Sequence, residues 1–269
     1  MIPNPYINPV TNFSLETART LRSIGLSRIF MQQALDVPHG DGGPVLCIPG
    51  FITPDASMKD LRNYLEQIGY NAYGWNNGFN WGPQSVPLVN VMERVRDISH
   101  RHDDRPVDIV GQSLGGTYAL GLASSLKDTG LVGRVITLGS PINERLIADG
   151  DDGINPIASV GFDMMNDKEH PDVTDFMEAM SDVIETGLPD TPVTSIYSLF
   201  DGVVNSELSQ FEGDHALKEN IGVLWSSHTG MGFNPLIRFV IADRLSQEPG
   251  TLPEFNGKNY VPFPQFAYH

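Results

Sequence analysis

The sequence predicts an α/β protein with one mainly parallel sheet of about six strands, flanked by helices and interrupted by a helical insertion. Three observations support this fold class. A short apolar run at 44–48 and a mostly apolar one before Ser113 are typical of strands that are buried on both faces of a sheet. Helical stretches of about ten to fifteen residues separate these runs, as in βαβ units. The chain has 269 residues, of which 40% are hydrophobic, so it can bury one large core.

The elements alternate along the chain as a parallel sheet requires. Prolines near the start predict an extended arm, and Ser14 with Glu16 in the following turn marks the beginning of a helix. Strands are then predicted at 44–48, 71–75, 107–112, 132–138, 193–199 and 222–225, and helices at 57–68, 86–100 and 117–126. The predicted divisions are an N-terminal arm and helical segment (1–43), a core in two parts (44–142 and 191–246), an insertion (143–190) and a C-terminal tail (247–269).

The insertion differs from the rest of the chain in length and charge. It has no convincing strand, and it is longer than the usual connection in an α/β unit. It holds 13 of the 33 acidic residues of the chain. A helix with one acidic face and one apolar face suits a lid or cap over a binding site. The residues predicted for the apolar face are Phe176, Met177, Met180, Val183 and Ile184.

Charge and composition exclude several classes of function. The net charge of -16 opposes binding to nucleic acid or to an anionic membrane surface, and it favours a neutral substrate. No apolar run approaches the roughly 18 residues that a membrane-spanning helix needs. The first residues carry no charged and apolar leader, so we expect a cytoplasmic protein, with secretion after leader cleavage as the alternative. We expect no metal or cofactor, because the acidic stretch 149–153 lacks the later glutamate of a calcium loop and nothing marks Cys47 as a thiolate.

The stretch 107–116 contains a serine in the pattern G-x-S-x-G, which is typical of a nucleophile elbow. In an elbow the serine occupies a strained turn between a strand and a helix, and its hydroxyl stands above the sheet. An apolar run precedes Ser113 and a helix-forming run follows it. Gly111 and Gly115 avoid side-chain collisions where the backbone doubles back. Ser113 is therefore the predicted nucleophile, and a plain helix N-cap is the alternative.

A serine nucleophile needs a histidine to take its proton and a carboxylate to orient that histidine. Asp201 follows the predicted strand 193–199, and His228 follows the strand 222–225. The carboxyl ends of parallel strands meet at one edge of a sheet, so these two residues should converge with Ser113. We predict His228 as the base and Asp201 as the acid, with Glu144 as the alternative acid. The other six histidines are expected at the surface or in tails.

A carbonyl attacked by serine develops negative charge, which backbone N–H groups stabilise. We assign these donors to Leu114, at the start of the elbow helix, and to Phe51, in the loop after the first core strand. Aromatic residues beyond the end of a strand commonly line a pocket. Substrate contacts are therefore predicted from the aromatic loop and the insertion, at Trp75, Phe79, Trp81, Phe162, Met164 and Met165.

Four segments in this order resemble a serine esterase or lipase of the α/β-hydrolase superfamily: Pro49-Gly50-Phe51, Gly111-Gln112-Ser113-Leu114-Gly115-Gly116, Asp201-Gly202-Val203-Val204 and His228. The resemblance covers about residues 44 to 245. It implies an α/β-hydrolase fold with the nucleophile, base, acid and oxyanion donors named above. Two features depart from the family. Pro-Gly-Phe replaces the His-Gly opening of many lipases, and too little chain precedes Val45 for the family's first two strands.

The predicted activity is that of a carboxylic ester hydrolase, an esterase or lipase that acts on a small-molecule ester or lipid through an acyl-enzyme. An acyltransferase that passes the same acyl group to an alcohol or amine is the first alternative. A non-catalytic binding protein on the same scaffold is the second.

Overall fold

The computed structural model describes residues 15–22, 25, 37–143, 163, 165–186, 191–213 and 216–257. Its sheet contains six parallel strands in the order β2-β1-β3-β4-β5-β6. These are β1 (Pro44–Ile48), β2 (Asn71–Gly74), β3 (Val107–Gln112), β4 (Val132–Leu138), β5 (Val193–Tyr197) and β6 (Lys218–Gly222). The flanking helices are α1 (Lys59–Gln67), α2 (Leu88–His100), α3 (Leu114–Ser125), α4 (Pro171–Thr186) and α5 (Pro235–Leu245). Within these described ranges no helix has the length and apolar character needed to cross a membrane.

Helices cover both faces of the sheet, which explains why β1 is continuously apolar. In β1, Leu46 and Ile48 belong to the core shared with α2, α3 and α4. The alternate residues Val45 and Cys47 belong to the core shared with α1 and α5. All four are fully buried, and each aliphatic side chain among them stabilises the fold by about 1.5–3 kcal/mol relative to exposure. The predicted fold class is confirmed.

The order of strands places a crevice at one edge of the sheet. β2 lies on one side of β1, and β3 lies on the other. The connections that leave the carboxyl ends of β1 and β3 therefore diverge. Open parallel sheets bind ligands at such topological switch points. The loop that begins at Pro49 and the turn at Ser113 both lie there.

The prediction of the last strand, at 222–225, is wrong: β6 spans Lys218–Gly222. β6 is an edge strand with polar residues, whose side chains find specific partners. Glu219 accepts hydrogen bonds from Thr194 and Arg244, and Asn220 accepts one from the Phe211 amide. A search for apolar runs misses such a strand. Trp225, at the end of the predicted strand, has a φ of 60° and lies in a turn.

α4 lies inside the predicted insertion and has the expected apolar face. Phe176 and Val183 are buried, and the Phe176 ring centre lies 4.8 Å from that of Tyr118 in α3. The prediction that Met177 lies on this face is wrong, because Met177 is 52% exposed and lies on the outer face. α4 is therefore part of the layer that covers the sheet. The prediction that this helix belongs to a lid is therefore wrong, because its apolar face packs in the core with Tyr118. Residues 144–162 of the predicted lid lie outside the described residues.

Candidate active site

Ser113 forms the turn between β3 and α3. Its φ of 52° and ψ of -124° lie in a region that residues with a side chain rarely occupy, at a cost of about 1–3 kcal/mol. Two glycines make the turn possible. A Cβ at Gly111 would lie 2.2 Å from the Gly115 carbonyl oxygen, and a Cβ at Gly115 would lie 2.3 Å from the Ile48 carbonyl oxygen. The strand, the helix and β1 thus approach one another more closely than any larger residue allows.

The loop after β1 lies directly beside Ser113. A Cβ at Gly50 would be 3.2 Å from the Ser113 Cβ atom. The Gly50 carbonyl accepts hydrogen bonds from the Thr53 amide at 3.2 Å and the Thr53 hydroxyl at 2.6 Å, which close a turn around Phe51. Leu114 is the first residue of α3, where an amide has no acceptor within the helix. The segments that carry Phe51 and Leu114 therefore meet at Ser113.

Asp201 and His228 form a buried ion pair beyond the ends of β5 and β6. His228 Nδ1 lies 2.7 Å from Asp201 Oδ2. Asp201 Oδ1 accepts hydrogen bonds from the Val203 and Val204 amides, both at 2.8 Å. Burial by itself would lower the pKa of His228, but the Asp201 carboxylate and, more weakly, Glu16 raise it above its ordinary value. The two carboxylates therefore stabilise the protonated ring relative to that of an isolated histidine.

Two contacts link the Asp201–His228 pair to the edge of the sheet that carries Ser113. The Gln112 side chain donates a 2.8 Å hydrogen bond to the His228 carbonyl, which ties the residue before Ser113 to the histidine loop. A Cβ at Gly139, beyond β4, would lie 2.8 Å from Asp201 Oδ2. In the described part of the chain no hydrogen bond joins the Ser113 and His228 side chains, and such catalytic contacts often tighten only when substrate binds. The alternative acid, Glu144, lies outside the described residues.

Sequence reasoning missed the role of Glu16, whose carboxylate is 5% exposed and lies between the aspartate and histidine loops. Glu16 Oε1 accepts hydrogen bonds from the amides of Gly202 at 2.8 Å and His228 at 3.1 Å. Oε2 accepts a hydrogen bond from the Thr229 amide at 3.3 Å. A glutamate in the first turn of a helix already has a local explanation in the helix dipole, so its sequence context points to no distant partner.

The aromatic loop divides into a core residue and a surface pair. Trp75 is completely buried, with its ring edge-on to Tyr118, so the prediction that it contacts substrate is wrong. Its size and its indole N–H, which donates to the Gly78 carbonyl, make it a packing residue. Phe79 and Trp81 are 46% and 36% exposed, and their rings stack with centres 5.4 Å apart. These two rings form the exposed aromatic pair.

A buried asparagine joins the aromatic pair to the loop after β1. The Asn80 side chain donates to the Pro49 carbonyl at 2.8 Å, and its backbone exchanges hydrogen bonds with Ile52 and Thr53. The aromatic pair is thus fixed beside Phe51. Met165 is 42% exposed and precedes Asn166, whose side chain donates to the Trp81 carbonyl at 3.0 Å. Phe162 and Met164, also predicted to contact substrate, lie outside the described residues.

The described residues contain no cluster of three or more His, Cys, Asp or Glu side chains that could hold a metal ion. Cys47 is fully buried in β1, and desolvation raises the pKa of its thiol to about 12. At neutral pH this thiol is protonated.

No protein-family model matches the sequence, and no curated protein sequence matches it either. Solved structures do match its fold. A monoacylglycerol lipase from Paleococcus ferrophilus is 13% identical, with a TM-score of 0.53 over 78% of this chain and 96% of that chain. A soluble variant of the monoglyceride lipase from Saccharomyces cerevisiae, in complex with a substrate analog, is 16% identical, with a TM-score of 0.52 over 78% and 88%. A hydrolase from Oleispira antarctica is 14% identical, with a TM-score of 0.51 over 80% and 94%. With this strand order and this turn at Ser113, the chain adopts the α/β-hydrolase fold.

Proposed function

We propose that this protein is a serine hydrolase that cleaves carboxylic esters through a covalent acyl-enzyme. The observation that carries the proposal is the 2.7 Å contact between His228 Nδ1 and Asp201 Oδ2, at the sheet edge where Ser113 occupies its strained turn. An imidazole held on Nδ1 by a carboxylate presents Nε2 as a base. The similarity of fold to lipases supports ester hydrolysis as the class of reaction.

In the acylation step Ser113 Oγ attacks the ester carbonyl carbon while His228 Nε2 accepts the hydroxyl proton. The carbonyl oxygen gains negative charge and is stabilised by the amides of Phe51 and Leu114, the second of which also lies at the positive end of the α3 dipole. The tetrahedral intermediate then collapses. The imidazolium gives its proton to the departing alkoxide, and the acyl group stays on Ser113.

In the deacylation step a water molecule takes the place of the alcohol. His228 removes one proton from the water, the resulting hydroxide attacks the acyl carbon, and the carboxylic acid leaves as Ser113 regains its proton. Asp201 keeps its orientation throughout, because its oxygens accept hydrogen bonds from the Val203 and Val204 amides and pair with His228. It orients the imidazole and stabilises each imidazolium that forms.

We infer a neutral substrate with an apolar acyl or alcohol group. The net charge of -16 repels anionic substrates over long range. The aromatic pair, Phe79 and Trp81, lies on a loop hydrogen-bonded to the segment that carries the oxyanion donor Phe51. An apolar chain leaving the ester carbonyl can pack against these exposed rings.

Hydrolysis of p-nitrophenyl butyrate tests the proposal. Wild type is expected to release p-nitrophenol, and Ser113→Ala is expected to lower kcat by about 10³-fold or more. Ser57→Ala, which removes an exposed hydroxyl in the turn before α1, is the matched control and should retain the wild-type rate. An undiminished rate in Ser113→Ala contradicts the proposal. Product analysis in the presence of a competing alcohol distinguishes hydrolysis, which yields the free acid, from acyl transfer, which yields a new ester.

A further inference from the structure

The carboxylate of Glu16 connects two loops that the mechanism uses separately. Its Oε1 atom accepts from the Gly202 amide at 2.8 Å, next to the acid Asp201, and from the amide of the base His228 at 3.1 Å. Oε2 accepts from the Thr229 amide at 3.3 Å. One side chain of the N-terminal helix, which is described over residues 15–22, therefore accepts from the backbone of both loops.

The same helix makes further contacts with these loops. The Thr20 hydroxyl, one turn beyond Glu16, lies 2.9 Å from the Ser227 hydroxyl and 2.6 Å from the Thr229 hydroxyl. Arg19 donates to the Phe200 carbonyl at 2.9 Å, and its guanidinium lies over the Phe200 ring. The helix therefore contacts the residues immediately before and after both Asp201 and His228.

Burying a carboxylate between two loops costs free energy, because the charge loses its hydration. Desolvation and the negative charge of Asp201 raise the pKa of Glu16, while the amides of His228 and Gly202 lower it. A neutral amide side chain would avoid most of this cost. The charged groups that act on Glu16 are Asp201 and His228. Of these groups, His228 becomes positively charged in the proposed reaction. A second negative charge beside it therefore stabilises that state.

We propose that Glu16 is a positioning residue of the triad, which fixes the separation of the Asp201 and His228 loops and stabilises the imidazolium that forms when Ser113 gives up its proton. This inference rests on the proposed function of those three residues. In this proposal Glu16 does not touch the reacting atoms. It acts through the backbone of its neighbours and through its charge.

The direction of the effect follows from simple electrostatics. The negative charges of Asp201 and Glu16 both raise the pKa of His228. Removing either charge should lower the pKa of His228. The neutral base then persists to lower pH, so the acid limb of the kcat/KM profile shifts to lower pH. The imidazolium in the transition state also loses stabilisation, so kcat should fall at the pH optimum. A purely structural role predicts neither change in a variant that keeps its fold.

The test compares Glu16→Gln with wild type and with Glu93→Gln, which makes the same charge change on the exposed face of α2. Three measurements are made on each: thermal unfolding, the pH profile of kcat/KM with p-nitrophenyl butyrate, and an NMR titration of the His228 ring. Glu16→Gln is expected to unfold cooperatively near the wild-type temperature, to lose about tenfold in kcat, and to show a lower His228 pKa and acid limb. Glu93→Gln should match wild type in all three.

A folded Glu16→Gln with wild-type kcat and an unmoved His228 titration overturns the inference. If Glu16→Gln does not unfold cooperatively, Glu16→Asp carries the test. Aspartate keeps the charge, but its shorter side chain cannot reach both loops. Glu16→Asp should therefore lower kcat without moving the acid limb. A wild-type kcat in this variant overturns the inference. The NMR titration needs no substrate. A wild type without esterase activity would therefore refute the proposed function, while the coupling of Glu16 to His228 would be decided independently.

Discussion

His228 Nδ1 and Asp201 Oδ2 lie 2.7 Å apart, and their side chains are 7% and 2% exposed. The second oxygen of Asp201 is held by the Val203 and Val204 amides. The orientation of the imidazole is thus set by a carboxylate that the backbone itself orients. Changes at this pair should alter the chemistry of the site more than the stability of the fold.

Asp201→Asn is expected to lower kcat by about 10⁴-fold, because an amide at this position favours the wrong tautomer of His228. Steady-state kinetics with p-nitrophenyl butyrate measure the loss. The comparison is Glu207→Gln, which removes an exposed carboxylate from the same loop and should leave kcat unchanged. If Asp201→Asn keeps kcat within tenfold of wild type, Asp201 is not the acid.

The pH dependence of activity should reflect the raised pKa of His228. Burial would lower this pKa, but Asp201 and Glu16 raise it above the ordinary 6.5. Since the base acts in its neutral form, kcat/KM should rise through an acid limb that lies above 6.5. A profile of kcat/KM measured from about pH 5 to pH 9 locates this limb. A limb at or below the ordinary value is incompatible with the paired imidazole described here.

The same raised pKa makes a prediction about stability. The folded state binds the His228 proton more tightly than the unfolded chain, so the contribution of this pair is complete below the unfolded pKa and is lost as pH rises through the folded pKa. His228→Gln removes this dependence. Urea unfolding of wild type and His228→Gln across this pH range should show the difference in unfolding free energy shrinking as pH rises; a constant difference argues against the linkage.

Gly50→Ala should impair catalysis without unfolding the protein. The new Cβ would lie 3.2 Å from Ser113 Cβ and 3.3 Å from the Gln112 carbonyl oxygen, so the loop that carries Phe51 must shift by a few tenths of an ångström. We expect kcat/KM to fall by about 10- to 100-fold, because the oxyanion donor is displaced. Gly121→Ala in α3, where the nearest atom lies 3.5 Å from the new Cβ, is the control and should retain full activity.

Trp75→Ala should mainly lower the stability of the fold, whereas Trp81→Ala should mainly weaken the binding of long-chain esters. Trp75 is fully buried, and its truncation should lower the unfolding free energy by about 3–5 kcal/mol. Trp81→Ala should change that free energy by only about 0.5 kcal/mol, but raise KM for esters with long acyl chains. Urea unfolding, together with KM for p-nitrophenyl butyrate and laurate, separates the two. An unchanged KM ratio in Trp81→Ala would remove the aromatic pair from the substrate site.

Features encoded within a few neighbouring residues were predictable from the sequence. β1 is buried on both faces and therefore appears as a continuous apolar run. The mostly apolar run before Ser113, combined with flanking glycines, predicts a strand, a tight turn and a helix. The parallel sheet then follows from the alternation of elements. The edge strand β6 escaped this reasoning, because Glu219 and Asn220 obtain their partners from distant parts of the chain.

Long-range contacts account for the rest of what was missed. Glu16 bonds to Gly202 and His228 across most of the chain, and its own neighbourhood shows only the first turn of a helix. Asn80 is buried and donates to the Pro49 carbonyl, although it lies between two exposed aromatic residues in the sequence. Trp75 and Trp81 have similar local sequences, and only packing against Tyr118 separates the core residue from the surface one.

The central claim is that Ser113 is an activated nucleophile, and covalent labelling with a fluorophosphonate probe tests it most directly. The intact protein is incubated with the probe and digested, and the modified peptide is identified by mass spectrometry. We expect a single adduct on Ser113, complete loss of labelling in Ser113→Ala, and slow labelling in Asp201→Asn. Labelling that persists in Ser113→Ala, or wild type that stays unmodified under conditions that label other serine hydrolases, would contradict the claim.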